Sequence, residues 1–142
     1  MSAAVHAVSV KGVVFLEGLV PLLKNERDEW ELPGGRLEEG EDPEACVVRE
    51  IAEELSIGVT ARRILDSWSY EVLPGRRVLI ITYLCESANV PADCRVSNEH
   101  KELALVEPAR TLELAMPDGY RRSIRAAMEL RGRLMDAALS AT

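Results

Sequence analysis

Apolar and polar residues alternate in short blocks along the chain, and the blocks change period. Residues 5–16 are mainly apolar and β-branched, interrupted by Lys11-Gly12, and this pattern predicts a strand. Glu17-Gly18 reads as a turn, and residues 19–24 as the hairpin partner of that strand. Residues 29–32 form a short apolar block that runs into Pro33-Gly34-Gly35, a loop signal. The period then lengthens. Val47, Ile51 and Leu55 recur every four residues and define the buried stripe of a helix. Asp42 suits its N-cap, Pro43 its first turn, and the exit is expected near Leu55-Ser56, with Gly58 just beyond.

Strand periodicity returns in residues 64–73 and 77–85, which flank a Pro74-Gly75 turn; the second is rich in Val, Ile, Leu and Tyr and is expected to be central. Residues 102–106 read as another strand, 108–114 as a short helix, and Pro117-Asp118-Gly119 as a turn. A long helix is expected over 120–139, with Ile124, Ala127, Met128, Leu134 and Met135 inward and Arg121, Arg122, Arg125, Arg131 and Arg133 facing outward or toward a ligand. The sum is an α+β domain spanning all 142 residues, with no internal repeat or low-complexity linker.

Charge narrows the function. The net charge of −7 disfavours duplex nucleic acid and anionic membrane as partners, since both need a basic footprint. Half of the 24 acids fall between residues 26 and 54, against three arginines there. Three cysteines without CxxC spacing (Cys46, Cys85 and Cys94) argue against a disulfide framework or a zinc site and for reduced thiols in a cytoplasmic protein. No apolar run is long enough to span a bilayer, and residues 1–10 lack the layout of a secretory leader.

The acids also have a geometry. Glu50 and Glu54 are four apart on the expected helix and share a face, with Glu53 beside both. Like charges at this spacing repel by a few tenths of a kcal/mol per pair. A hard divalent cation would reverse that sign, because Mg²⁺ and Mn²⁺ prefer oxygen ligands. On these three glutamates alone, a solvated acidic face with Arg49 as counter-charge is an equal reading.

The wider spacing separates the two. Gly35, Glu41, Arg49, Glu50, Ile51, Glu53, Glu54 and Ile57 match eight of the nine fixed positions of the Nudix box, here residues 35–57. The late glycine of the box is replaced by Ser56, and Trp30-Glu31-Leu32-Pro33-Gly34 before it also resembles the family. The resemblance implies a Nudix fold, a mixed β-sheet sandwiched between helices in an α/β/α arrangement, and a MutT-like hydrolase. It implies Glu50, Glu54 and Glu53 as ligands of Mg²⁺ or Mn²⁺, with Glu99 completing the site and Glu102 its competitor. Glu53, Glu50, Arg49 and Glu41 are the implied catalytic set, with Arg49 and Glu41 fixing the loop and the ligands. Gly34 and Gly35 would admit phosphate or metal close to the backbone, and Trp30 is the first candidate for stacking on a base.

The implied activity is metal-assisted cleavage of a phosphoanhydride in a nucleotide-derived small molecule: a nucleoside triphosphate, or a nucleotide sugar or ADP-ribose. Capped RNA fits the acidic charge less well. The alternative is a non-catalytic Nudix domain that senses a nucleotide, although all four box glutamates are present. Isomerase chemistry on the same fold would need catalytic motifs that are not placed here. Pairing of two copies as a homodimer is compatible with the family, but no segment marks an interface.

Overall fold

The computed structural model describes residues 6–98 and 102–141. In chain order the strands are β1 (Ala7–Val14), β2 (Val20–Lys24), β3 (Trp30–Glu31), β4 (Gly34–Arg36), β5 (Thr60–Leu73), β6 (Arg76–Glu86) and β7 (Glu102–Val106); the helices are α1 (Pro43–Leu55) and α2 (Asp118–Ser140). Short 3₁₀ turns occupy Pro91–Asp93 and Pro108–Glu113.

The strands form two sheets. A mixed four-stranded sheet has the order β4-β1-β6-β5, with β1 and β6 parallel and the other pairs antiparallel. A three-stranded antiparallel sheet has the order β3-β2-β7. The period-2 pattern of β1 sends its side chains to opposite faces. Val10 and Val14 join a core with Cys46, Val47, Ile51 and Leu55 of α1. Val13 joins a second core with Ile80, Leu84 and the α2 residues Tyr120, Ile124 and Ala127. The large sheet is thus covered by α1 on one face and the start of α2 on the other, the layering that was expected. Val47, Ile51 and Leu55 are fully buried, and each contributes about 1.5–3 kcal/mol of apolar burial.

Five readings change. β2 does not form a hairpin sheet with β1. A Leu16↔Leu19 bridge closes the tight Glu17-Gly18 turn, and beyond it β2 pairs with β3 and β7, which offer it a ladder on both edges. The strand β1 runs unbroken through Lys11-Gly12, where glycine lets Ile51 and Val47 of α1 approach the sheet. The Pro33-Gly34-Gly35 loop signal hides β4, which pairs with β1. The strand β5 begins at Thr60 rather than 64. Finally, Met128, Leu134 and Met135 are not buried: beyond Ala127 the helix leaves an open cleft over β5 and β6, with Leu134 and Met135 on its wall opposite Phe15 and Leu84, and Met135 is 54% exposed.

Candidate active site

Helix α1 is set by its sequence at both ends. Asp42 stands in the extended conformation ahead of Pro43, whose ring presets the first helical turn. Ser56 closes the helix in the left-handed region (φ 59°, ψ 32°), with its N–H on the Ala52 carbonyl at 3.0 Å. The position where the box carries glycine therefore keeps the glycine conformation with a serine. Between these ends the four-residue spacing puts Glu50 and Glu54 on the face that meets β4.

Both carboxylates touch the Gly34-Gly35 backbone. Glu54 is 4% exposed, and its Oε1 accepts the Gly34 N–H at 2.7 Å. Gly34 has φ +136°, and a Cβ there would collide with the Val10 carbonyl oxygen, so glycine is required. At Gly35 a Cβ would lie 2.5 Å from the Glu50 carboxylate. Glycine leaves the space that this carboxylate fills. Burial pushes the Glu54 carboxyl up to about 7, partly offset by Lys11 and by the Gly34 N–H and reinforced by Glu50.

Arg49 ties the rest together. Its guanidinium forms a bidentate pair with Glu41, Nε at 2.7 Å and Nη2 at 3.0 Å. Its Nη1 reaches Glu50 at 3.0 Å and Glu53 at 3.4 Å, and its Nη2 donates to the Arg36 carbonyl at 3.3 Å. Glu41 also accepts the Glu38 N–H at 3.1 Å. The Arg49 hydrogen bonds, together with that N–H, hold the Glu41 carboxyl down at about 2, against the opposing effect of burial.

This constellation has relatives. The NUDIX domain family model matches residues 5–127. The chain belongs to the Nudix family. It is 35% identical over 74 residues to an 8-oxo-dGTP diphosphatase of Proteus vulgaris, covering 49% of this chain and 65% of that protein. It is 32% identical over 118 residues to an ADP-ribose pyrophosphatase of Bacillus subtilis (strain 168), covering 81% of this chain and 60% of that one. The chain thus spans less than two thirds of the length of these curated relatives. Among solved structures, a MutT protein from Methanosarcina mazei Go1 superposes with a TM-score of 0.74 at 26% identity, over 91% of this chain and 98% of that one. A Nudix-family hydrolase from Clostridium perfringens shares the fold with a TM-score of 0.75 at 15% identity, over 89% and 99% of the two chains.

The Nudix box residues divide into two groups in space. Glu50 and Glu54 meet at Gly34-Gly35, while Glu41, Arg49 and Glu53 form an ion-pair cluster that joins the first group through Glu50. Glu53 is 59% exposed and faces Arg49. Glu99 lies outside the described residues. Glu102 sits on β7, paired with Lys24 at 3.7 Å. Trp30 packs at the edge of the α2-side core, its backbone N–H donating to the Ala115 carbonyl at 2.8 Å and the Lys24 ammonium 5.3 Å from its ring.

Two further polar features of this Nudix domain lie beside the carboxylate pair and in the sheet behind it. Lys11 is buried, and its Nζ donates to the Gly34 carbonyl at 3.2 Å. Beside it in the sheet, a polar row runs from Thr82 to Asp66, with the Ser123 hydroxyl donating to Asp66 at 2.8 Å. Lys11, Thr82 and Ser123 are each polar residues among apolar strand or helix-face neighbours, the signal the sequence offered; Asp66 gave none, since β5 is polar at many positions.

The donor set suits a hard cation. Among the described residues no three acidic, His or Cys side chains already converge on one point. Two carboxylates against glycine backbone suffice for Mg²⁺, which commonly takes one or two carboxylates and completes its shell with water and phosphate oxygens. Such a cation would also remove the repulsion between Glu50 and Glu54.

Proposed function

We propose that this domain is a Mg²⁺- or Mn²⁺-dependent pyrophosphohydrolase of nucleotide-linked phosphoanhydrides. The observation that carries this reading is the seating of Glu50 and Glu54 on Gly34-Gly35, with Arg49 locking Glu50 to Glu41. The relatives named as 8-oxo-dGTP diphosphatase and ADP-ribose pyrophosphatase support a substrate among nucleoside triphosphates or ADP-ribose-like molecules.

When bound, the divalent cation neutralises phosphate charge and makes water a better nucleophile. The chain does the rest. Glu50 and Glu54 hold the cation, each oriented by a second partner: Arg49 for Glu50 and the Gly34 N–H for Glu54. Arg49 and Glu41 keep the loop between β4 and α1 closed on the helix. Glu53 lies on the solvent side of that pair, paired with Arg49, where its carboxylate adds a ligand or orients the attacking water. The Gly34-Gly35 backbone, having no side chains, lets the carboxylate pair sit against the sheet. Trp30 contributes an apolar flank to the base. The domain acts as a single unit on a small nucleotide-derived substrate in the cytoplasm. A homodimer is compatible with this scheme. Among the described residues no helix is long and apolar enough to cross a membrane.

The test is release of phosphate or nucleotide from a panel of nucleoside triphosphates, 8-oxo-dGTP, ADP-ribose and nucleotide sugars with Mg²⁺, Mn²⁺ or EDTA. Glu50→Gln and Glu54→Gln should each cut turnover by about 10²-fold or more. Retention within a few-fold would remove the assigned roles. Tight nucleotide binding without turnover would favour the sensing alternative.

A further inference from the structure

The described residues bury two charged side chains, Lys11 and Glu54, and both grip Gly34. Lys11 stands opposite Gly34 in the β1–β4 register and is 6% exposed, and its Nζ donates to the Gly34 carbonyl at 3.2 Å. Glu54 takes the Gly34 N–H from the other side. An ammonium in a valine-rich strand is costly to bury, and packing alone would favour methionine or valine. What the charge has around it is acid: Glu31, Glu54 and Glu50, with the Tyr120 hydroxyl. Burial pulls the Lys11 ammonium toward neutrality, yet these neighbours outweigh it and keep it protonated.

We infer that Lys11 is a positioning residue for the carboxylate pair: by fixing the Gly34 carbonyl it sets where Gly34-Gly35, and with it Glu54 and Glu50, are held. The inference rests on the reading of Glu50 and Glu54 as the metal-facing pair. Lys11 does not touch substrate in this scheme, so its loss falls on kcat and leaves KM alone. A displacement of about 1 Å in the pair would cost on the order of tenfold to a hundredfold in turnover.

The test uses Lys11→Met, close in size but without donor or charge, and Lys11→Gln, which keeps a donor. Two readouts are taken: steady-state kinetics on the substrate that the wild-type protein cleaves, and amide NMR of Gly34 and Gly35 in metal-free protein. Lys11→Met should lower kcat at least tenfold with KM within threefold, and should shift and deprotect the Gly34 and Gly35 amides. Lys11→Gln should recover part of kcat. Where Lys11→Met does not fold, the glutamine variant is read against wild type by the same two criteria. Unchanged Gly34 and Gly35 amides with kcat within threefold overturn the inference, as does a loss carried by KM. A wild-type protein inactive on the whole panel would instead sink the hydrolase reading, and the amide shifts would still decide whether Lys11 holds Gly34.

Discussion

Gly35→Ala isolates the geometry of the carboxylate pair. Gly34 has a positive φ, but Gly35 does not, so alanine fits the Gly35 backbone without strain. Its methyl would lie 2.5 Å from the Glu50 Cδ and Oε2 and 2.8 Å from Oε1. Ordinary contact begins near 3.4 Å, so the carboxylate must retreat by about 1 Å. Glu50 has the torsional freedom to do so, at roughly 1 kcal/mol for an off-rotamer side chain. For a chain of this length that is about 3 °C in Tm. The catalytic cost is larger, because 1 Å of misplacement is worth on the order of 10²-fold. The retreat also strains the 3.0 Å bond from Arg49. Gly35→Ala should therefore melt within a few degrees of wild type while losing about 10²-fold in kcat. A Glu50→Ala background supplies the control: with the carboxylate gone, adding Gly35→Ala should change kcat by less than threefold. Near-normal turnover in folded Gly35→Ala, or a further large loss in the double variant, would refute the reasoning.

Ser56→Gly should raise stability by about 0.5–1 kcal/mol in chemical denaturation, since serine pays a left-handed penalty there that glycine avoids. Gly119→Ala should do the opposite despite better helix propensity. Its methyl would strike the rigid Trp68 ring, and a loss of about 1–3 kcal/mol is expected in the same assay. Glu41 gives a pH signature. Its folded carboxyl is depressed to about 2, so the stability it contributes is present above its unfolded value near 4.5 and is lost as pH falls from there to about 2. Glu41→Gln should flatten the acid limb of the stability curve across that window.

The box was legible because its roles need fixed spacing along one helix. Glu50, Glu54 and the Val47, Ile51 and Leu55 stripe could be placed from periodicity alone, and α1 carries them as expected. The topology of β2 was not legible. A turn at Glu17-Gly18 signals a reversal, but not whether the returning strand joins the same sheet, which depends on β7 eighty residues later. β4 was hidden because glycine is a poor strand signal even where pairing requires it. The inward reading of Met128, Leu134 and Met135 followed the helical period but assumed close packing on the sheet, where the helix instead borders an open cleft. Lys11 was missed because a lone lysine in an apolar strand looks like an interruption until its partner, 23 residues away, is in view.

The most direct test of the central claim is metal-dependent turnover of the nucleotide panel by the wild-type protein and by Glu54→Gln. The account predicts cleavage with Mg²⁺ or Mn²⁺, none with EDTA, and a loss of about 10²-fold or more in the variant. Cleavage that survives EDTA, or a Glu54→Gln protein as active as wild type, would contradict it.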